Sequence, residues 1–234
     1  MNILDNTTYF LYLVTLAGLL HACLQLPLAN QLQLGTHILG RGRPRQAEWA
    51  SIAVACGAVI SVGAILLGAA GLISLFADTN MRLFTAGITL ICSGVFIMFY
   101  YYRSSAGAQS WLPEKIRERM QRRIKRTDSW PSAIYVGLKA TAYESPLSLP
   151  LALFAVSLLL QVGFQDIFLG LILYMTCSVL PLIVVAIAHN FHLPLGRLVK
   201  WRIDSKRFWQ FFVGLSFIAL GLYAASSDYL RTGL

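Results

Sequence analysis

Charge is what this chain has least of. Asp, Glu, Lys and Arg make up 12% of its 234 residues, hydrophobic residues make up 57%, and the mean hydropathy is +0.64. Such a balance excludes an ordinary water-soluble domain, in which roughly a quarter of the residues are charged. Cysteine is scarce too. Cys23, Cys56, Cys92 and Cys177 each sit inside an apolar run and no two are close in sequence, so there is no disulfide framework and no CxxC motif. Each reads as a small helix-packing residue. No basic residue precedes the first apolar run, which excludes the usual signal-peptide pattern and leaves that run as an expected helix. Metal-ligand spacings are also missing: His21, Cys23 and Glu144 are suitable ligand types and the candidates for a metal site, but no pair among them has a recognised spacing. No cofactor and no enzymatic activity are expected.

What is present is apolar length. A bilayer core is crossed by roughly 20 apolar residues in a helix, and six stretches qualify, at 10–34, 50–76, 83–101, 132–160, 167–188 and 208–225. The basic residues between them are unevenly shared. Arg41, Arg43 and Arg45 lie in the first connection, eight Lys or Arg lie from Arg103 to Arg126, and five lie from Arg197 to Arg207. The alternate connections, 77–82 and 161–166, hold one basic residue between them. By the positive-inside rule the first, third and fifth connections are cytoplasmic and both termini lie outside, in the cytoplasmic (inner) membrane of a cell. The formal charge of +9 is therefore what topology requires, and a nucleic-acid partner is not.

The central connection carries its own pattern. Leu112, Ile116, Met120 and Ile124 recur every four residues among Arg and Lys, after Trp111-Leu112-Pro113, a helix-start signal. This spacing predicts a short amphipathic helix lying on the inner leaflet, serving as a positive topology anchor.

One phrase occurs twice. Leu24-Gln25-Leu26-Pro27-Leu28-Ala29 and Leu147-Ser148-Leu149-Pro150-Leu151-Ala152 differ only at Gln25 and Ser148, and His21 stands where Glu144 stands. The third stretch has Phe84, Gly87 and Gly94, and the sixth has Phe211, Gly214 and Gly221 at the same spacing. Each half therefore reads as a three-helix unit: 1–102, then a basic linker at 103–130, then 131–234. Three is odd, so the two units sit in the membrane with opposite orientation. The fold class expected is an all-α polytopic membrane protein of six transmembrane helices in two inverted three-helix repeats, an arrangement whose solute site lies near the midplane at the repeat interface.

Within a transmembrane helix a proline removes one backbone hydrogen bond, and the freed carbonyl is tolerated only where protein or a watery cavity satisfies it. Pro27, with Pro146 and Pro150, is expected to break the first and fourth helices at corresponding places and to turn both toward the interior. Glu144 lies about a dozen residues past Pro131, some 18 Å along at roughly 1.5 Å per residue. A carboxylate at that depth costs several kcal/mol unless protonated, paired or hydrated, which marks a candidate for proton transfer or cation binding. Lys139 and His21 are the fixed partners that would instead make it structural. His21, Gln25, Ser145 and Ser148, with Asn30 and Gln31 further along, supply the rest of a small hydrophilic site.

The pattern of proline-bearing first and fourth helices, with "LQLPLANQLQLGTHILGRGRPRQ" leading into a Gly-Arg-Gly-Arg loop, resembles the superfamily of LysE exporters and the cytochrome c biogenesis protein CcdA. The double Pro-Gly-Pro of LysE-type exporters is missing, and Pro146 stands where the thiol-carrier branch has its second cysteine. The resemblance implies a transporter of the LysE type that exports a small polar solute or ion by alternating access, with proton coupling at Glu144. A transmembrane redox carrier and an accessory subunit of a membrane complex are the alternatives. The partners expected are the bilayer and the solute or cation, with room for a homodimer or a membrane-complex partner.

Overall fold

The computed structural model describes residues 3–24, 26–76, 79–100, 113–191, 200 and 204–232. Among them there are eight helices and no strand: α1 (Ile3–Ala22), α2 (Leu26–Gly40), α3 (Pro44–Ser74), α4 (Thr79–Tyr100), α5 (Glu114–Lys125), α6 (Trp130–Leu159), α7 (Phe164–Asn190) and α8 (Lys206–Thr232). Five of these helices are long and apolar enough to cross a membrane, and α1 with α2 makes a sixth if that bent pair is one span. This is the build of a helical, multi-pass membrane protein.

The α1–α2 pair bends where proline predicts. α1 ends in a tight turn in which the Leu24 N–H donates to the His21 carbonyl at 3.0 Å, and the chain resumes as α2 at an angle of 45°. Pro27 is the second residue of α2, where a missing N–H costs little because first-turn donors have no partner within the helix. The fourth span corrects the matching expectation. Pro146 and Pro150 lie inside α6, which runs through both without a break. At Pro150 the reason is packing, since every residue from Pro150 to Leu159 is buried and α6 is the most enclosed of the five single-helix spans; Pro146 lies on an exposed face of the same helix. Ser129 and Ser132 form a capping box at its start, with Pro131 in the first turn.

Small residues set the helix pairs. In lipid there is little hydrophobic force between helices, so close backbone approach at glycine supplies the packing. A Cβ added at Gly57 of α3 would collide with the Ile134 carbonyl of α6, and one at Gly137 of α6 with the Val54 carbonyl of α3. On α4, a Cβ at Gly87 would lie 2.7 Å from the Gly221 carbonyl oxygen of α8, and one at Gly94 would lie 2.7 Å from that of Gly214. α1 meets α7 at Gly18, where a Cβ would be 2.8 Å from the Tyr174 carbonyl oxygen.

These pairings bring particular helix ends together. Trp49 and Trp130, near the starts of α3 and α6, have ring centroids 6.1 Å apart, and Arg41 Nη1 is 3.3 Å from Asp128 Oδ1. Gln210 Nε2 donates to the Ile97 and Met98 carbonyls at 3.0 and 2.6 Å, so α8 starts beside the end of α4. At the other end of the bundle Tyr9 of α1 and Tyr223 of α8 lie 6.2 Å apart.

α5 forms as its spacing predicts, but Met120 and Ile124 are buried against Leu34, Ile38, Ala47, Ala133 and Val136 rather than turned to a leaflet. Trp111 and Leu112 lie outside the described residues. The cysteines also differ from expectation: Cys23 and Cys177 are partly buried, whereas Cys56 and Cys92 are exposed on the outer faces of α3 and α4.

Candidate functional site

Where α1 breaks, four other helices close around the gap. The last turn of α1 contributes His21, α2 contributes Pro27 and Leu28, and α3 contributes Ala58 and Val62. α6 contributes Thr141 and Glu144, and α7 contributes Ser178, Pro181 and Leu182. The cavity they line is about 20 Å³, room for about one water molecule. Glu144 is fully buried and His21 nearly so, at 4% exposure. The two residues that occupy equivalent places in the repeated phrases thus face one cavity.

His21 is held from α7. Its Nδ1 lies 3.1 Å from Tyr174 Oη, and Tyr174 is fully buried. A tyrosyl hydroxyl donating to Nδ1 leaves the ring proton on Nε2. The bend is clasped below the cavity by Gln31, whose Nε2 donates to the Ser51 carbonyl of α3 at 3.1 Å and to the Leu182 carbonyl of α7 at 3.0 Å. One amide thereby ties α2 to two neighbouring spans. Such a buried donor is costly to leave unmade, so the clasp defines where α2 sits.

Thr141 is three residues before Glu144 on the same face of α6, and its buried hydroxyl has no hydrogen-bond partner among the described residues. An unsatisfied hydroxyl beside a carboxylate in a cavity of this size suits a bridging water or a cation.

The other candidates are placed less centrally. Ser148 is buried one turn past Glu144 and its hydroxyl also lacks a partner, but it does not line the cavity; nor does the half-buried Ser145. Gln25 lies outside the described residues. Asn30 is buried, and its Nδ2 has no hydrogen-bond partner among the described residues. Lys139 Nζ lies 5.6 Å from the centroid of the Tyr135 ring. Cys23 packs against the main apolar core and is absent from the cavity lining. No group of three or more His, Cys, Asp or Glu placed to hold a metal occurs among the described residues, so His21, Cys23 and Glu144 do not gather into one.

Reading the repeated phrase does not find Tyr174, Ser178 and Pro181. Their signal was available in the helical spacing of α7, because Tyr174 and Ser178 are four residues apart on an otherwise apolar helix and Pro181 follows three later. The imidazole, the carboxyl group and two hydroxyls around a one-water space can pass a proton or hold a small cation.

No protein-family model, no curated protein and no solved structure matches this chain. The chemistry of the site therefore carries the functional reading.

Proposed function

We propose that this chain is a transporter of the cytoplasmic membrane that exports a small polar solute or ion by alternating access coupled to protons. The observation that carries the reading is the shared cavity of His21 and Glu144 deep in an apolar bundle. An ionisable group at that depth is costly and is kept where it moves charge or binds solute. Glu144 is the proton carrier or cation ligand, and His21, Thr141 and Ser178 complete its surroundings. The one-water volume corresponds to a closed state. A larger solute enters when α1–α2 and α6 separate, with the bend before Pro27 as the hinge.

An inverted repeat underlies the movement. Its support is reciprocal contact: exchanging Gly87 with Gly214 and Gly94 with Gly221 converts the Gly87–Gly221 pair into the Gly214–Gly94 pair. The same exchange of halves turns the α3–α6 pairing into α7–α1. Phe84 and Phe211, which precede the glycines at equal spacing, are both exposed. With the basic connections in the cytoplasm and the termini outside, we propose an arrangement similar to that of the LysE and CcdA superfamily, and within it an exporter; the support is the resemblance of the proline phrase and its Gly-Arg-Gly-Arg loop.

The test uses purified full-length protein in liposomes loaded with a pH-sensitive dye, under imposed gradients of amino acids and of divalent cations in turn. One of these gradients is expected to change internal pH with the native protein. Glu144→Gln, which keeps shape and removes the titrating group, should abolish that change while unfolding at a near-native temperature. A folded Glu144→Gln protein that still links solute to proton movement would remove Glu144 as the coupling group.

A further inference from the structure

Outside the cavity, four arginines gather on the solvent-facing side of α5. Arg119, Arg122, Arg123 and Arg126 line, with Ser132 of α6, a concave pocket of about 410 Å³. These arginines recur at three- and four-residue spacing, so they stand on one helix face and repel one another. They cannot turn away as a group, because the opposite face of α5 is held by the buried Met120 and Ile124.

Their neighbours neutralise only part of the charge. Arg122 Nη2 is 3.7 Å from Glu118 Oε2, and the Arg123 guanidinium lies 4.4 Å from the centroid of the Tyr135 ring. Arg119 and Arg126 have no carboxylate partner among the described residues. Four guanidinium forks around one hollow match the oxygens of a phosphate group, which they can grip two at a time.

Position selects the source of the phosphate. Ser132 is the third residue of a membrane-spanning helix, and Trp130 and Tyr135 on the same helix are 42% and 40% exposed. Exposed Trp and Tyr at the start of a span mark headgroup level. Arg123 rests on Tyr135, so the pocket continues into an aromatic surface beside which acyl chains run.

We infer that the Arg119, Arg122, Arg123, Arg126 and Ser132 pocket binds the phosphate headgroup of an anionic phospholipid from the leaflet on that side. Basic pockets beside transmembrane helices recognise such headgroups by the same charge arrangement. A bound lipid would fasten α5 to the start of α6, and through α5 to the end of α2. This site does not depend on the transport reading.

The experiment measures lipid adducts on the detergent-purified full chain by native mass spectrometry, with phosphatidylglycerol, phosphatidylcholine and inorganic phosphate offered separately. The native protein should retain phosphatidylglycerol and not phosphatidylcholine. Arg119→Gln/Arg126→Gln removes the two arginines that have no carboxylate partner and should weaken phosphatidylglycerol binding about fivefold for each. Lys115→Gln/Lys125→Gln removes the same charge away from the pocket and should leave binding within about twofold. Equal losses in the two double variants would overturn the pocket in favour of diffuse attraction. Equal retention of both lipids would overturn headgroup recognition, and phosphate competing as strongly as lipid would overturn the lipid source. If the glutamine variant does not fold, Arg119→Lys/Arg126→Lys keeps the charge without the fork; undiminished binding in that folded variant would overturn guanidinium recognition.

Discussion

The α1–α2 span and α6 carry nearly the same apolar phrase and respond to proline differently. α1 stops before Pro27 and the chain turns 45°, whereas α6 continues through Pro146 and Pro150. Local chemistry is alike, since any of these prolines would remove a hydrogen bond from a helix that ran through it. Surroundings are not. Every residue of α6 from Pro150 to Leu159 is buried, and the helix packs on α3, α4, α1 and α2. The first span has instead a gap at its break, and the cavity occupies that gap. Proline thus permits a break, and packing decides whether one is made. A continuous helix carrying Glu144 thus faces a bent pair carrying His21 across one cavity, and the transport proposed above rests on that contrast.

The largest effects are expected at the glycines that seat α1 and α6. Gly137→Ala on α6 would drive a methyl group into the Val54 carbonyl, and neither backbone can yield without moving a whole helix. Its expected cost is more than about 4 kcal/mol, in the exceptional range for single substitutions. Gly18→Ala on α1, facing the Tyr174 carbonyl at 2.8 Å, should cost about 1–3 kcal/mol because the jointed span can shift. Thermal unfolding in detergent gives the order. A larger loss at Gly18 would mean that α6 is not the rigid member.

A smaller effect separates the prolines themselves. Pro146→Ala restores a donor for the Ala142 carbonyl in the middle of α6 and should raise stability by about 1 kcal/mol, the net worth of one hydrogen bond. Pro27→Ala should change stability by less than half that, because first-turn donors lack helical partners. The two variants unfolding alike would show that α6 is interrupted at Pro146 in the membrane.

The smallest effect concerns the hold on His21. Tyr174→Phe deletes only the hydroxyl that contacts Nδ1 at 3.1 Å, and about 1 kcal/mol or less of stability should go with it. Proton-coupled flux in liposomes should fall more than stability does, since an unheld imidazole no longer faces Glu144 in one orientation. Unchanged flux would make the Tyr174 contact a packing feature alone.

Much of this fold was legible along the chain. The apolar runs mark the spans to within a few residues at most ends, because length and hydropathy are local quantities. The exceptions are the start of α1 at Ile3 rather than residue 10, the end of α2 at Gly40 rather than 34, the start of α3 at Pro44 rather than 50 and the end of α8 at Thr232 rather than 225, because polar helix turns carry no hydropathy signal. Glu144 stood out as a carboxylate deep in an apolar run, and His21 by its equivalent place. Thr141, Tyr174 and Ser178 did not, because common polar residues on apolar helices acquire meaning only from what they face.

Composition and spacing along the chain are enough to establish a helical membrane protein, the stretches that can span, a basic amphipathic helix near its middle, and a proline that recurs in matching phrases. All of these follow from composition and spacing within a single segment. Packing between helices is what shows that α6 survives two prolines, that α5 docks by Met120 and Ile124, that Cys56 and Cys92 are exposed, and that His21 and Glu144, 123 positions apart in the chain, share a cavity. The physical reason is that burial and close backbone approach are properties of helix pairs: which face of an apolar helix meets glycine, and which meets lipid, is set by its neighbours.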